Sequence, residues 1–165
     1  MAALSLNDVR AVIETHLLAG FGANVNTEAD VTLISENGIT IVTESPEVTA
    51  TPIAFANLVY KPTPRDSYLQ CTVEFDATQY VTLGDSSSLS NRLFGDITVN
   101  IFTPAGIGVG QNYDLANKVC SLFTRHILSD IQFQPLTGPN IIYSNNVGSF
   151  FQTQVVVPFN VFETL

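Results

Sequence analysis

The sequence predicts an α+β domain: an antiparallel or mixed β-sheet with two α-helices packed on one face, and a β-hairpin excursion in the N-terminal half. Three observations predict it. Apolar residues recur at helical spacing in only two places. Several other stretches alternate apolar and polar residues with a period of two. The order is helix, hairpin, two strands, helix, strands, which lacks the regular strand–helix repeat of a parallel sheet. At 165 residues the chain fits one domain spanning 1–165.

The first helix is expected over residues 6–18. Ser5-Leu6-Asn7-Asp8 has a hydroxyl followed three positions later by an acid, the pattern of a capping box. Val9, Val12, Ile13, His16 and Leu17 then follow at helical spacing, and Gly20 and Gly22 stop the run. His16, close to this stripe, reads as a half-buried structural histidine. Residues 24–51 read as a hairpin or extended insertion, because Glu36-Asn37-Gly38 separates two β-like runs and Asn-Gly tolerates a tight hairpin turn.

Pro62 and Pro64 mark a loop. From Tyr68 to Phe75, Leu69, Cys71, Val73 and Phe75 share one face, and Gln70, Thr72 and Glu74 the other. Residues 82–91 form a small polar segment expected to be mobile in the free protein. Arg92 to Phe102 is the next strand, with Ile97, Val99 and Ile101 on one face. Asn112 is placed as a cap for a helix whose stripe is Leu115, Ala116, Val119, Leu122, Phe123 and Ile127. Ile131 and Phe133 start a short strand, and Ile141 and Ile142 suggest another. A long final strand runs from Phe150 to Phe162, with Phe151, Val155, Val157, Phe159 and Val161 on one face. Pro158 lacks an N–H, which predicts an edge position or a bulge.

Composition narrows the function. Charged residues make up 13% of the chain, about half the usual share. A charge-poor surface suits faces covered by partners. The net charge is −9, and no run of Lys or Arg exists to grip a phosphate backbone. Asp8, Arg10 and Glu14 interrupt the N-terminal apolar residues, so a signal peptide is not expected. No apolar run is long enough to suggest a membrane span.

The stretch Pro104-Ala-Gly-Ile-Gly-Val-Gly110 invites comparison with phosphate loops. It lacks the G-x-G-x-x-G spacing, and Gln111 stands where a Walker loop needs Lys. It reads as a strand-to-helix link that tolerates positive φ. Cys71 and Cys120 match no metal spacing and read as buried thiols, with a disulfide as the alternative. Glu74 and Asp76 are a possible carboxylate pair, but more simply solvated strand charges. His126 beside Arg125 suits the dipole at the end of the second helix. No G-x-S-x-G elbow is present. Neither an enzymatic site nor a cofactor nor a metal is expected.

From about Ile53 onward the chain resembles the tail terminator-like, or tail completion, proteins of long-tailed bacteriophages. The residues that carry this are Ile53-Ala-Phe-Ala-Asn-Leu58, the Pro62/Pro64 loop, Tyr68-Leu-Gln-Cys-Thr-Val73, Thr82-Leu-Gly84, Arg92-Leu-Phe-Gly-Asp-Ile-Thr-Val-Asn-Ile-Phe102, Pro104-Ala-Gly-Ile-Gly108, Asp114-Leu-Ala116, Leu122-Phe123 and Val155-Val-Val-Pro-Phe159. They cover roughly two thirds of the chain and are structural signals with no catalytic signature. Residues 24–51 depart from the family pattern.

The resemblance implies a virion protein at the junction of tail and neck, assembled in the host cytoplasm. It would form a homo-hexameric ring that ends the tail tube. Its partners would be the tail tube protein on one face and the neck or head-completion protein on the other, with DNA passing through the lumen unbound. The segment around Leu83, Gly84, Asp85, Ser86, Ser87, Ser88, Leu89 and Asn91 is the candidate interface with a neighbouring subunit or tail ring. Another neck or head-closure component and a small acidic binding module are the competing expectations.

Overall fold

The computed structural model describes residues 5–22, 51–56, 60–62, 65–81, 90–142 and 149–164. The expected insertion at 24–51 lies outside them, apart from Thr51. Two helices, α1 (Leu6–Gly20) and α2 (Gly110–Phe123), accompany seven strands: β1 (Ile53–Phe55), β2 (Tyr68–Tyr80), β3 (Ser90–Pro104), β4 (Ile127–Leu128), β5 (Ile131–Phe133), β6 (Thr137–Ile141) and β7 (Phe150–Thr164). The sheet order is β1-β2-β3-β7-β5-β4, with β6 also paired to β7. All pairings are antiparallel except β1 with β2, so the fold is α+β with a mixed sheet.

Register explains the core. Leu69, Ile101 and Thr153 align across β2, β3 and β7, as do Cys71, Val99 and Val155. Because side chains alternate across a pleated strand, these rows all project to one face. There they meet Val9, Ile13 and Leu17 of α1 and Ala116, Val119 and Phe123 of α2 in one buried cluster. The helical spacing of those six residues aims each helix at the sheet.

α1 starts as the sequence predicts. The Ser5 side chain accepts from the Asp8 N–H, and the Asp8 carboxylate accepts from the Ser5 N–H, closing the capping box. The helix runs past residue 18 and includes Gly20. A Cβ there would fall 2.4 Å from Leu122 Cδ1, so this glycine lets the two helices approach rather than ending the first.

Four expectations need correction. Asn112 does not cap α2: the N-cap is Val109, without a side-chain cap bond, and Asn112 is fully buried inside the helix. Ile127 leaves the helical stripe, because α2 stops at Phe123, and it stands 65% exposed on β4. β2 continues beyond Phe75 to Tyr80 through a register shift between Phe75 and Thr78. The extra residue breaks the alternation that marks a strand in sequence. Pro158 lies in β7, which is flanked on both sides, paired in register with Asp96. The Pro158 carbonyl accepts from Gln134 N–H between the ends of β5 and β6. Its nitrogen faces that same gap, where no ladder bond is needed.

Candidate functional site

Residues Leu83, Gly84, Asp85, Ser86, Ser87, Ser88 and Leu89 lie outside the described residues. Asn91 is described. The expected polar loop over 82–91 does not extend to it: Asn91 is the second residue of β3, opposite Tyr80 of β2 and Glu163 of β7, and only 9% of it is exposed. The strand ends around it are unusually apolar for a surface: Tyr80 is 82%, Val81 51% and Phe162 41% exposed.

Arg92 sits among them, on the sheet face away from the helices. Its guanidinium lies 4.9 Å from the Phe94 ring centroid and 5.3 Å from that of Phe162. A guanidinium over aromatic faces is held by the ring quadrupoles. Nη2 donates to Asn160 Oδ1 at 3.1 Å. That oxygen also accepts from Gln134 Nε2 at 2.7 Å, while Asn160 Nδ2 donates to Gln132 Oε1 at 3.4 Å. The Arg92 Nε is buried and has no hydrogen-bond partner among the described residues. Sequence reasoning placed Arg92 at the start of a strand and of a family-like motif, with no site role.

The same outer face continues with amides. Gln152 and Gln154 each donate to Asn100 Oδ1 at 3.2 Å. It ends in an aromatic cluster: Tyr68 stacks on Phe102 with centroids 4.5 Å apart, Phe150 stands edge-on to both, and Tyr60 tilts onto Tyr68. Burial raises the pKa of both phenols, with Asp66 adding to the rise at Tyr60 and Tyr60 to that at Tyr68. The nearby Ser67 Oγ is buried without a described partner.

A separate apolar groove runs along the outer side of α1, lined by Ala11, Val12, Thr15, His16, Ala19 and Leu128. His16 is half-buried, as expected, and its Nε2–H donates to the Leu122 carbonyl at 3.0 Å. That carbonyl belongs to the last turn of α2, whose oxygens lack helical partners. Thr124 Oγ1 donates to Cys120 O at 2.7 Å, a carbonyl that also accepts from the Thr124 N–H. His126, expected to complement this helix end, instead stacks on His16 with centroids 4.9 Å apart.

The remaining chemical candidates are scattered. Glu74 lies opposite Asp96, and the register shift takes Asp76 out of the ladder, so the two carboxylates are not a regular pair on one face. Among the described residues no group of three His, Cys, Asp or Glu converges as a metal site. Cys71 is buried and Cys120 half-buried, and both are free thiols. Burial, reinforced by Glu14, pushes the Cys71 pKa up to about 12. In the glycine stretch, Gly106 and Gly108 take φ of +91° and +86°, the turn conformation the link requires. The strand before it, β3, is antiparallel to both neighbours, so no βαβ nucleotide unit forms. No described helix is long and apolar enough to cross a membrane.

Neither a family model nor a curated protein matches the chain. Several solved chains match it in fold, and one of them superposes with a TM-score of 0.55 at 17% identity. The match covers 98% of this chain and 96% of that one. Identity that low shows a common fold and nothing finer.

Proposed function

We propose that this is a structural virion protein of the tail terminator type, a subunit of a hexameric ring that ends the phage tail tube and joins it to the neck. The type of ring rests on the resemblance carried by residues from Ile53 onward. The observation that supports assembly is the presence of two unlike apolar surfaces among the described residues. One is the α1 groove with the exposed Ile127 beside Leu128; the other is Tyr80, Val81 and Phe162 at the strand ends. An isologous dimer needs one self-complementary patch, whereas a head-to-tail contact joins two different patches and closes into a ring when the rotation allows. The −9 charge fits a lumen that DNA crosses without adhering. Termination needs no reactive centre, only a shape that accepts the last tube ring and offers no further one.

The test is tube growth. Purified protein added to polymerising tail tube protein should stop elongation at substoichiometric ratios and appear as a cap at one end by electron microscopy. Tubes that grow unchanged, with no cap, contradict the proposal.

A further inference from the structure

We infer that Tyr80 of one copy of this chain docks in the α1 groove of the next, bringing the β2 edge of one sheet to the β4 edge of its neighbour. The inference rests on the ring reading and names the contact that would close the ring.

The two surfaces lie in the same layer of the fold, at opposite margins of the sheet. Tyr80 pairs with Asn91, which is in step with the core residues Leu93 and Ile97, so its ring is on the helix side. Leu128 of the groove pairs with the core residue Ile131 and is on the helix side too. One row of the sheet runs from Thr78 through Leu93, Val161 and Ile131 to Leu128. Its ends are four interstrand spacings apart, about 19 Å, so Tyr80 does not reach the groove of its own chain. A second copy set margin to margin does, and joining opposite margins is the head-to-tail relation a ring requires.

The outer half of β2 lacks cover. Every side chain from Asp76 to Val81 is exposed. Among the described residues, β1 flanks this edge only opposite Leu69–Cys71, which leaves the ladder groups beyond open to another strand. The groove suits the ring. Ala11, Thr15 and Ala19 stand on successive turns of α1, and their small side chains leave room for it. Val12 and Leu128 supply apolar walls, while the Thr15 hydroxyl and the His16 imidazole offer partners to the polar tip of a buried tyrosine. Neither Tyr80, Val81 nor any residue lining the groove is an acid, so the contact brings together no carboxylates of two chains that each carry a net −9.

Complementation of two variants tests this. Tyr80→Asp removes the ring and Thr15→Glu places a charge in the groove. Both positions are exposed, so near-ultraviolet circular dichroism should stay native. Each variant alone should weaken self-association by at least about 30-fold in sedimentation. Mixed one to one, well above the wild-type transition, they should form a heterodimer and nothing larger. Only one contact survives in the mixture, Tyr80 of the Thr15→Glu chain in the groove of the Tyr80→Asp chain. Both variants carry the same added charge, so recovery on mixing is not relief of repulsion.

Either variant assembling like wild type overturns the inference, as does a mixture that stays monomeric. A Thr15→Glu chain that keeps its ring but no longer caps tail tubes also overturns it, and gives the groove to the tube protein. Tyr80→Ser and Ala19→Glu replace any variant that does not fold. A wild-type chain that never associates, with tail tubes present or absent, sinks the ring reading and this contact with it. Variants that keep a six-fold ring sink only the contact.

Discussion

Asn112 of α2 donates to Thr103 Oγ1 of β3 at 3.2 Å, in the middle of an otherwise apolar helix–sheet contact. The same amide donates to the Ile101 carbonyl at 3.2 Å, and the Thr153 hydroxyl donates to Asn112 Oδ1. All three side chains are fully buried. Asn112→Ala would strand both hydroxyls and open a hole, costing roughly 2–4 kcal/mol in urea unfolding. Adding Thr103→Val and Thr153→Val to Asn112→Leu should recover most of that loss, because both hydroxyls go and only the Ile101 carbonyl, in a strand paired on both sides, loses a side-chain donor. A single Ala variant as stable as wild type would contradict this.

Gly95 is needed for space. A Cβ there would lie 2.5 Å from the Glu74 carbonyl and 2.5 Å from Phe159 Cζ. Gly95→Ala should destabilise by roughly 1–3 kcal/mol through overpacking. Shrinking the ring with Phe159→Leu should not restore stability, since the backbone clash remains. Denaturant midpoints of the single and double variants give the answer.

The two thiols should react at different rates. With its pKa near 12 and 1% exposure, Cys71 presents almost no thiolate at neutral pH and waits for unfolding. Cys120 is also raised by burial but is only half-buried, so it should label first. A disulfide reagent should count one fast thiol in native protein and two in denaturant. Equal rates for both, or faster labelling of Cys71, would refute this.

The capping box makes the start of α1 acid-sensitive. The Ser5 side-chain and backbone hydrogen bonds lower the Asp8 pKa from its ordinary 3.8. A carboxyl depressed by folding adds stability above its unfolded pKa and loses it as pH falls through the folded value. Carbon NMR should show Asp8 titrating below 3.8, with the first turn of α1 fraying alongside, and Ser5→Ala should move the titration back upward. An Asp8 midpoint unaffected by Ser5→Ala would remove the capping box from the account.

Much of this fold is legible because its signals are local. Alternation in Leu69, Cys71, Ile97, Val99, Val155 and Val157 identifies strands and their buried faces without knowledge of partners. What the sequence hides depends on distant neighbours. Asn112 looks like a cap because it follows Gly110; its burial depends on Thr103 and Thr153 facing it from two strands. The polar Thr153, in step with Val155 and Val157, was the available clue. The outer half of β2 is hidden by the bulge after Phe75, and Pro158 by a gap between two strands that local sequence does not reveal. Of the candidate interface, only Asn91 falls within the described residues. Arg92, one position on, becomes notable only when Asn160 and Phe162 are brought beside it, 68 and 70 positions away.

The central claim is that this chain acts by assembling. Mass photometry of the purified protein across a dilution series, paired with electron-microscopic class averages, measures it directly. The account predicts a species of six times 17.9 kDa with six-fold averages and a central channel. A particle that stays at 17.9 kDa at every concentration, with tail tubes present or absent, would contradict it.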